Sequence, residues 1–296
     1  MSDLDDFRRE IRTPAGFRRY TLNLQAMLAT GWAIRPFAIC MLELREKTVS
    51  SGTVLRLGNH VFIATARHVI PENPNGRFWI VRRQPRSASE GFPGFVKWRL
   101  HPNAHIDVGY LEAECDSLVD YLGHDDFCTI ENLADFGPGR ENRGIIVVGG
   151  PAEKIRHLTD GERSHVMAFE LMPYGTPCLS PNNWPKVGAQ NRPPHPDIDV
   201  FLEYPNECFD VEPNGVTSVA TLPHPGGMSG GGVWDQGFAQ PDGLWTPRDC
   251  KLFAIQSSWN ESKRYLRATQ IRHWIDLIRE DYPDLRDALS TVQIEK

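Results

Sequence analysis

The 296-residue sequence contains no C-x-x-C pair, no run of 18 uninterrupted apolar residues and no strong excess of one charge sign. Each absence excludes something. The six cysteines (Cys40, Cys115, Cys128, Cys178, Cys208, Cys250) are scattered, so neither a zinc knuckle nor a redox dithiol is encoded. The best apolar stretch, Gly31 to Leu44, is broken by Arg35, Pro36 and Glu43, and no membrane span is expected. The first residues place acids ahead of Arg8, Arg9, Arg12, Arg18 and Arg19, without the apolar core of a secretory leader. These readings predict a cytoplasmic protein with mostly reduced core thiols. With 32 Lys plus Arg against 38 Asp plus Glu, the formal charge is −6. That balance offers no broad basic field, and no nucleic-acid partner is expected. The Arg8 to Arg19 cluster reads as a charge-mixed, solvated face.

Helical periodicity is also scarce. What is present is a series of short β-like runs separated by Gly, Pro, Asn and Asp, the pattern of an all-β fold of barrels or a sandwich. The clearest hairpin is Thr53 to Leu57, the pair Gly58-Asn59, then His60 to Thr65, because glycine supplies the positive φ that twisted strands need at the turn. Further strands are expected at Arg77 to Arg82, Ile106 to Glu112, Gly144 to Val148, Val166 to Leu171, Ile198 to Tyr204, Val216 to Leu222, Lys251 to Ser257 and Arg264 to Ala268. After Thr269, read as an N-cap, Ile271, Trp274, Ile275 and Ile278 recur at helical spacing, which predicts a docked C-terminal helix over 269–280. Nine prolines fall between Met172 and Pro213, so 172–213 reads as an elaborated surface loop with one strand inside it.

The segment richest in chemistry is Pro225-Gly-Gly-Met-Ser-Gly-Gly-Gly-Val-Trp234, with one serine among five glycines. Glycines let backbone N–H groups converge on a small volume, which is what an oxyanion hole requires. The amides of Gly227 and Ser229 have the right spacing for it. A flexible glycine loop is the alternative reading. A phosphate loop is disfavoured, because no Lys-Ser/Thr follows the last glycine. A serine nucleophile needs a base, and His68 ends the apolar strand Val61 to Ala66, a rigid place from which to aim an imidazole. Asp107, in His105-Ile-Asp-Val-Gly-Tyr-Leu-Glu112, has apolar neighbours able to bury a carboxylate that would fix the imidazole tautomer. The string His101, His105, Asp107 does not suit a helical metal site, since Pro102 and the β-like run after His105 intervene, and no metal is expected.

Together these segments resemble the trypsin-like, chymotrypsin-fold serine peptidases, particularly their bacterial intracellular or HtrA-like branch. The order His68, Asp107, Ser229 matches, as do Ala-Arg-His, Asp-Val-Gly-Tyr and Gly-Met-Ser-Gly-Gly, over roughly residues 48 to 280. The resemblance implies two packed antiparallel β-barrels with a C-terminal α-helix. It divides the chain into an N-terminal extension (1–34), a first barrel carrying His68 and Asp107 (35–138) and a second carrying Ser229 (139–296). It implies a serine endopeptidase with a Ser-His-Asp triad, an oxyanion hole of Gly227 and Ser229, a protein or peptide substrate and no cofactor. Bacterial relatives often serve stress or anti-phage defence, under the control of a partner or signal.

Several positions depart from the family pattern. Met228 stands where activated trypsins carry an aspartate, so their zymogen switch is expected to be absent. The cysteines that flank histidine and serine in secreted members are missing. Pro223 occupies the position that sets tryptic specificity, His224 beside it could favour an acidic residue, and Ser257, Ser258 and Trp259 line the expected substrate channel in a register ambiguous by one residue. A different reading is a binding module of the same fold, using Tyr174, Trp184 and Phe201 of the Pro-rich segment as exposed anchors.

Overall fold

The computed structural model describes residues 27, 29–43, 45–46, 48–75, 78–81, 94–122, 127–136, 144–160, 164–185, 193–212, 215–237 and 249–295. Arg8, Arg9, Arg12, Arg18 and Arg19, and most of the 1–34 extension, lie outside them.

The chain is mostly β, with two six-stranded antiparallel sheets and few helices, as an all-β two-barrel plan requires. The first sheet uses β1 (Ala38–Glu43), β2 (Thr48–Leu57), β3 (His60–Thr65), β4 (Phe78–Val81), β5 (Lys97–Leu100) and β6 (Gly109–Ala113), in the order β4-β1-β2-β3-β6-β5. The expected hairpin joins β2 to β3, with Gly58 at φ 59°. A helix, α1 (Cys115–Leu122), and a short strand, β7 (Ala134–Phe136), lead to the second half. There follow β8 (Ile145–Gly149), β9 (Ile155–Asp160), β10 (Ser164–Phe169), β11 (Met172–Thr176), β12 (Asp199–Glu203), β13 (Glu207–Glu212), β14 (Gly215–Thr221), β15 (Gly232–Asp235), β16 (Lys251–Asn260) and β17 (Tyr265–Gln270). The second sheet runs β11-β8-β15-β16-β17-β12, while β9–β10 and β13–β14 are separate two-stranded ribbons.

Three buried clusters show why the strands read as continuous apolar runs. Along β3, Val61 and Ile63 face a cluster inside the first sheet, while Phe62 and Ala64 face a second cluster shared between the sheets. Along β8, Ile146 and Val148 face that shared cluster, and Ile145 and Val147 face a third cluster inside the second sheet. Strands buried on both faces carry apolar residues at every position, so their alternation disappears.

The C-terminal helix is α2 (Arg272–Asp281), and its stripe Ile271, Trp274, Ile275 and Ile278 is buried in the shared cluster. Its start corrects the expected N-cap. Thr269 is the fifth residue of β17, and its hydroxyl is turned to the carbonyl of Asp107 at 3.5 Å rather than to the helix amides. A short helix, α3 (Arg286–Leu289), follows, and then β18 (Gln293–Glu295) pairs in parallel with β7.

The Pro-rich segment is more regular than its composition suggests. Strand β11 carries Pro173 without penalty because it lies at the edge of its sheet, where a missing N–H can face away from the ladder. Nor are its aromatic residues exposed anchors. Phe201 is 0% and Tyr174 7% exposed, and half-buried Trp184 packs on Phe201 at 5.1 Å. The end of the N-terminal extension is docked as well, since residues 29–34 are helical and Thr30 and Ile34 are buried.

Candidate active site

His68 lies in a single 3₁₀ turn, Arg67–Val69, immediately after β3, and Asp107 lies just before β6, the strand paired with β3. That pairing places the two side chains together. Asp107 Oδ2 meets His68 Nδ1 at 2.8 Å, and Asp107 Oδ1 accepts the His68 backbone N–H at 3.0 Å. The carboxylate is 6% exposed and the imidazole 46%, so the buried acid fixes a ring whose other face reaches solvent. A carboxylate accepts, so Nδ1 carries a proton, and in the neutral tautomer this selects the lone pair is on Nε2.

Ser229 sits in the turn between β14 and β15. Nearly every peptide of that turn is pinned. The Gly226 carbonyl accepts from Ala152 N–H (2.7 Å), the Met228 carbonyl from Gly231 N–H (2.8 Å) and the Ser229 carbonyl from Ser51 N–H (2.7 Å). Met228 N–H donates to the Pro225 carbonyl, Gly230 N–H to the Gln256 carbonyl and Gly226 N–H to His224 Nδ1. Among the described residues, the N–H groups of Gly227 and Ser229 alone in the stretch 226–231 meet no acceptor. In a trans peptide the N–H points opposite to the C=O. Anchoring the Gly226 and Met228 carbonyls therefore fixes where the Gly227 and Ser229 N–H groups are aimed. Gly227 at φ 96° and Gly230 at φ 93° adopt left-handed backbone, and a Cβ on Gly230 would stand 1.9 Å from the Ser51 carbonyl oxygen.

The nucleophile's own hydrogen bond is to a different partner from the one the motifs suggest. Ser229 Oγ donates to the Ser257 carbonyl at 3.4 Å, and no hydrogen bond joins it to His68 among the described residues. Ser257 is bypassed by the β16–β17 register, which shifts between Gln256 and Ser258, leaving its carbonyl to face the serine. Ser257 Oγ donates to the Arg267 carbonyl at 3.1 Å, and Ser258 Oγ is buried without a partner among the described residues. Trp259 packs edge-on to His224 with ring centroids 4.6 Å apart, so two of the residues expected from the sequence to line a substrate channel touch each other. Arg264 lies 5.7 Å from the Trp259 ring centroid and 5.7 Å from that of Tyr204, while Tyr204 Oη donates to the Pro223 carbonyl.

Sequence reasoning missed Ser51, Ala152, Arg264 and Thr269. The signal for Ser51 was a polar pair, Ser50-Ser51, within a strand that also carries Val49, Val54, Leu55 and Leu57. In the string His101, His105, Asp107, the Asp107 carboxylate is held by His68 and His101 Nδ1 accepts from Asn103 N–H. Met228 is fully buried and packs over Gly149. The six cysteines are free thiols, and burial pushes that of Cys250 up to about 12. No helix among the described residues is long and apolar enough to cross a membrane.

No protein-family model matches the chain. No curated protein matches it either. Among solved structures, the chain is similar to a scabies mite inactivated protease paralogue, S-D1, at 13% identity and a TM-score of 0.49, with 84% of this chain and 93% of that chain covered.

Proposed function

We propose that this chain is a serine endopeptidase, working through an acyl-enzyme with Ser229 as nucleophile, His68 as general base and acid, and Asp107 as the group that orients the imidazole. The observation that carries the reading is the coincidence of a buried carboxylate on His68 Nδ1 with two unpaired amides, Gly227 and Ser229, in a turn whose other amides are occupied. Ser229 Oγ attacks the scissile carbonyl carbon while its proton passes to His68 Nε2. The developing oxyanion is received by the two free N–H groups. His68 then protonates the leaving amine as the C–N bond breaks, and water, deprotonated by the same histidine, hydrolyses the ester.

Turning Ser229 Oγ from the Ser257 carbonyl to His68 is the rearrangement that this reading requires. Bound substrate is the natural trigger, since catalytic hydrogen bonds commonly tighten only in the complex. The placement in a bacterial intracellular or HtrA-like branch, the cytoplasmic setting, the protein partner that would activate it and the role in stress or defence rest on the sequence resemblance alone. The functional reading is tested by labelling the full chain with a fluorophosphonate and assaying a diverse peptide library. Labelling of the native chain and its loss in Ser229→Ala are expected; an unlabelled chain that cuts no peptide would refute the reading.

One pair of observations favours a second reading, a peptidase-fold binding module. Ser229 Oγ is bonded away from His68, and Trp259 closes on His224. Partner capture indifferent to Ser229→Ala, in a chain that no fluorophosphonate labels, is the result that would establish it.

A further inference from the structure

We infer that the Ser51 hydroxyl is a positioning residue for the oxyanion turn, holding it in its working shape with uncharged hydrogen bonds and without any activating cleavage. The inference rests on the peptidase reading above and deepens it. Ser51 is fully buried on β2, in the first sheet, yet its bonds go to the second half of the molecule. Its Oγ donates to the Gly227 carbonyl at 2.8 Å and accepts from the Gly150 N–H at 2.9 Å. Its backbone N–H donates to the Ser229 carbonyl at 2.7 Å. Its carbonyl accepts from Thr65 Oγ1 at 2.7 Å, on the strand that delivers His68. One residue therefore ties together the nucleophile, a proposed oxyanion donor, the end of β8 and the strand leading to the base.

The hydroxyl matters because of what it holds. Gly227 has glycine neighbours only on its N-terminal side and itself sits at φ 96°, so the torsions on either side of its Cα are cheap to change. If the Gly227 carbonyl were released, the Gly227–Met228 peptide could rotate about these torsions, and the Gly227 and Ser229 N–H groups, in the peptides on either side of it, would lose their mutual alignment. Ser51 Oγ on the Gly227 carbonyl and the Met228 N–H on the Pro225 carbonyl hold that peptide, while Ala152 N–H holds the carbonyl of the peptide before it. None of these bonds involves a charged group, and Met228 has a buried apolar side chain that can form no ion pair. The cradle is then present as soon as the chain folds. Any restraint on the enzyme must act on the alignment of Ser229 with His68, or on access to the cleft.

The test uses the full chain and the variants Ser51→Ala and Ser51→Cys. Alanine removes the hydrogen bonds; cysteine keeps roughly the volume but bonds weakly. The rate of fluorophosphonate labelling and the kcat for a cleaved peptide are expected to fall on the order of 10- to 100-fold in both variants, less than the full loss of an oxyanion donor. KM should stay within about threefold of the native value, because the interaction is realised in the transition state. A labelling rate in Ser51→Ala within twofold of native, or full recovery in Ser51→Cys, would overturn the inference, the latter by showing that only packing matters. Crystal structures of the native chain and Ser51→Ala decide independently of activity. A reoriented Gly227–Met228 peptide is expected, and an unmoved one overturns the inference. A native chain that no fluorophosphonate labels counts against the peptidase reading, while the peptide orientation still decides the role of Ser51.

Discussion

Asp107 holds His68 at two points, accepting the backbone N–H at 3.0 Å through one carboxylate oxygen and contacting the ring Nδ1 at 2.8 Å through the other. The first bond sets where the residue sits and the second sets the ring's tautomer and tilt. The Asp107 backbone carbonyl is in turn met by Thr269 Oγ1 from the second sheet, so the acid is fixed from both halves of the molecule.

Replacing Asp107 by asparagine keeps the shape and removes an acceptor. With an amide N–H₂ facing Nδ1, the imidazole is driven to carry its proton on Nε2 and ceases to be a base toward Ser229. The expected result is a fall in kcat of roughly 10³- to 10⁴-fold with little change in KM. Steady-state kinetics on a peptide found in the library assay would measure it, and a loss of less than tenfold would remove Asp107 from the mechanism.

The residues legible in sequence were those whose role is written in local backbone. Glycines around Ser229 announce a turn with positive φ, and an apolar strand ending in His68 announces a fixed imidazole. Ser51 was not legible because its partners Gly227 and Ser229 lie far along the chain, and only the closure of the two sheets brings them together. The Trp259–His224 contact was hidden for the same reason, and the bulge at Ser257 shifts the register that sequence left open. In the fold, β1 and β15 lacked an alternation signal because both of their faces are buried, and β11 was masked by a proline that an edge strand tolerates. Thr269 was misread as a cap because an N-cap and a buried strand threonine look alike in sequence.

Acid should loosen the C-terminal helix before the sheets. Burial alone would raise the pKa of Asp281, at the end of α2, but a hydrogen bond from Tyr110 and the charges of Arg99 and Lys97 outweigh it and hold the carboxyl below its ordinary value of 3.8. A carboxyl depressed by folding contributes stability that is complete above the unfolded value and disappears as the pH falls through the folded one. Docking of α2 should therefore persist at pH 5 and weaken below about pH 4. Trp274 fluorescence during acid titration would follow it. Asp281→Asn should lower stability at pH 7 and flatten the acid limb, and an unchanged limb would assign the transition to another group.

Arg267 and Asp199 form a two-point ion pair at 2.8 and 2.9 Å, with side chains 2% and 0% exposed, on the paired strands β17 and β12. Asp199 also accepts the His195 N–H at 2.8 Å, and the guanidinium lies over Phe201 at 5.7 Å. Removing one member leaves a charge buried without its counter-ion, which costs about 3–5 kcal/mol, whereas replacing both with apolar residues of similar volume costs far less. Urea unfolding should therefore show Asp199→Ala and Arg267→Ala destabilised by about that amount, with Asp199→Leu/Arg267→Met recovering most of the loss. Single variants within about 1 kcal/mol of native would mean that water reaches the pair and screens it. The consequence extends to the site. The Arg267 carbonyl holds Ser257 Oγ, the Ser257 carbonyl holds Ser229 Oγ, and two residues further along β17 Thr269 reaches Asp107. A single variant should thus lose peptidase rate at temperatures well below its melting point, and the double variant should regain it, because the ion pair acts on chemistry only through the position of β17.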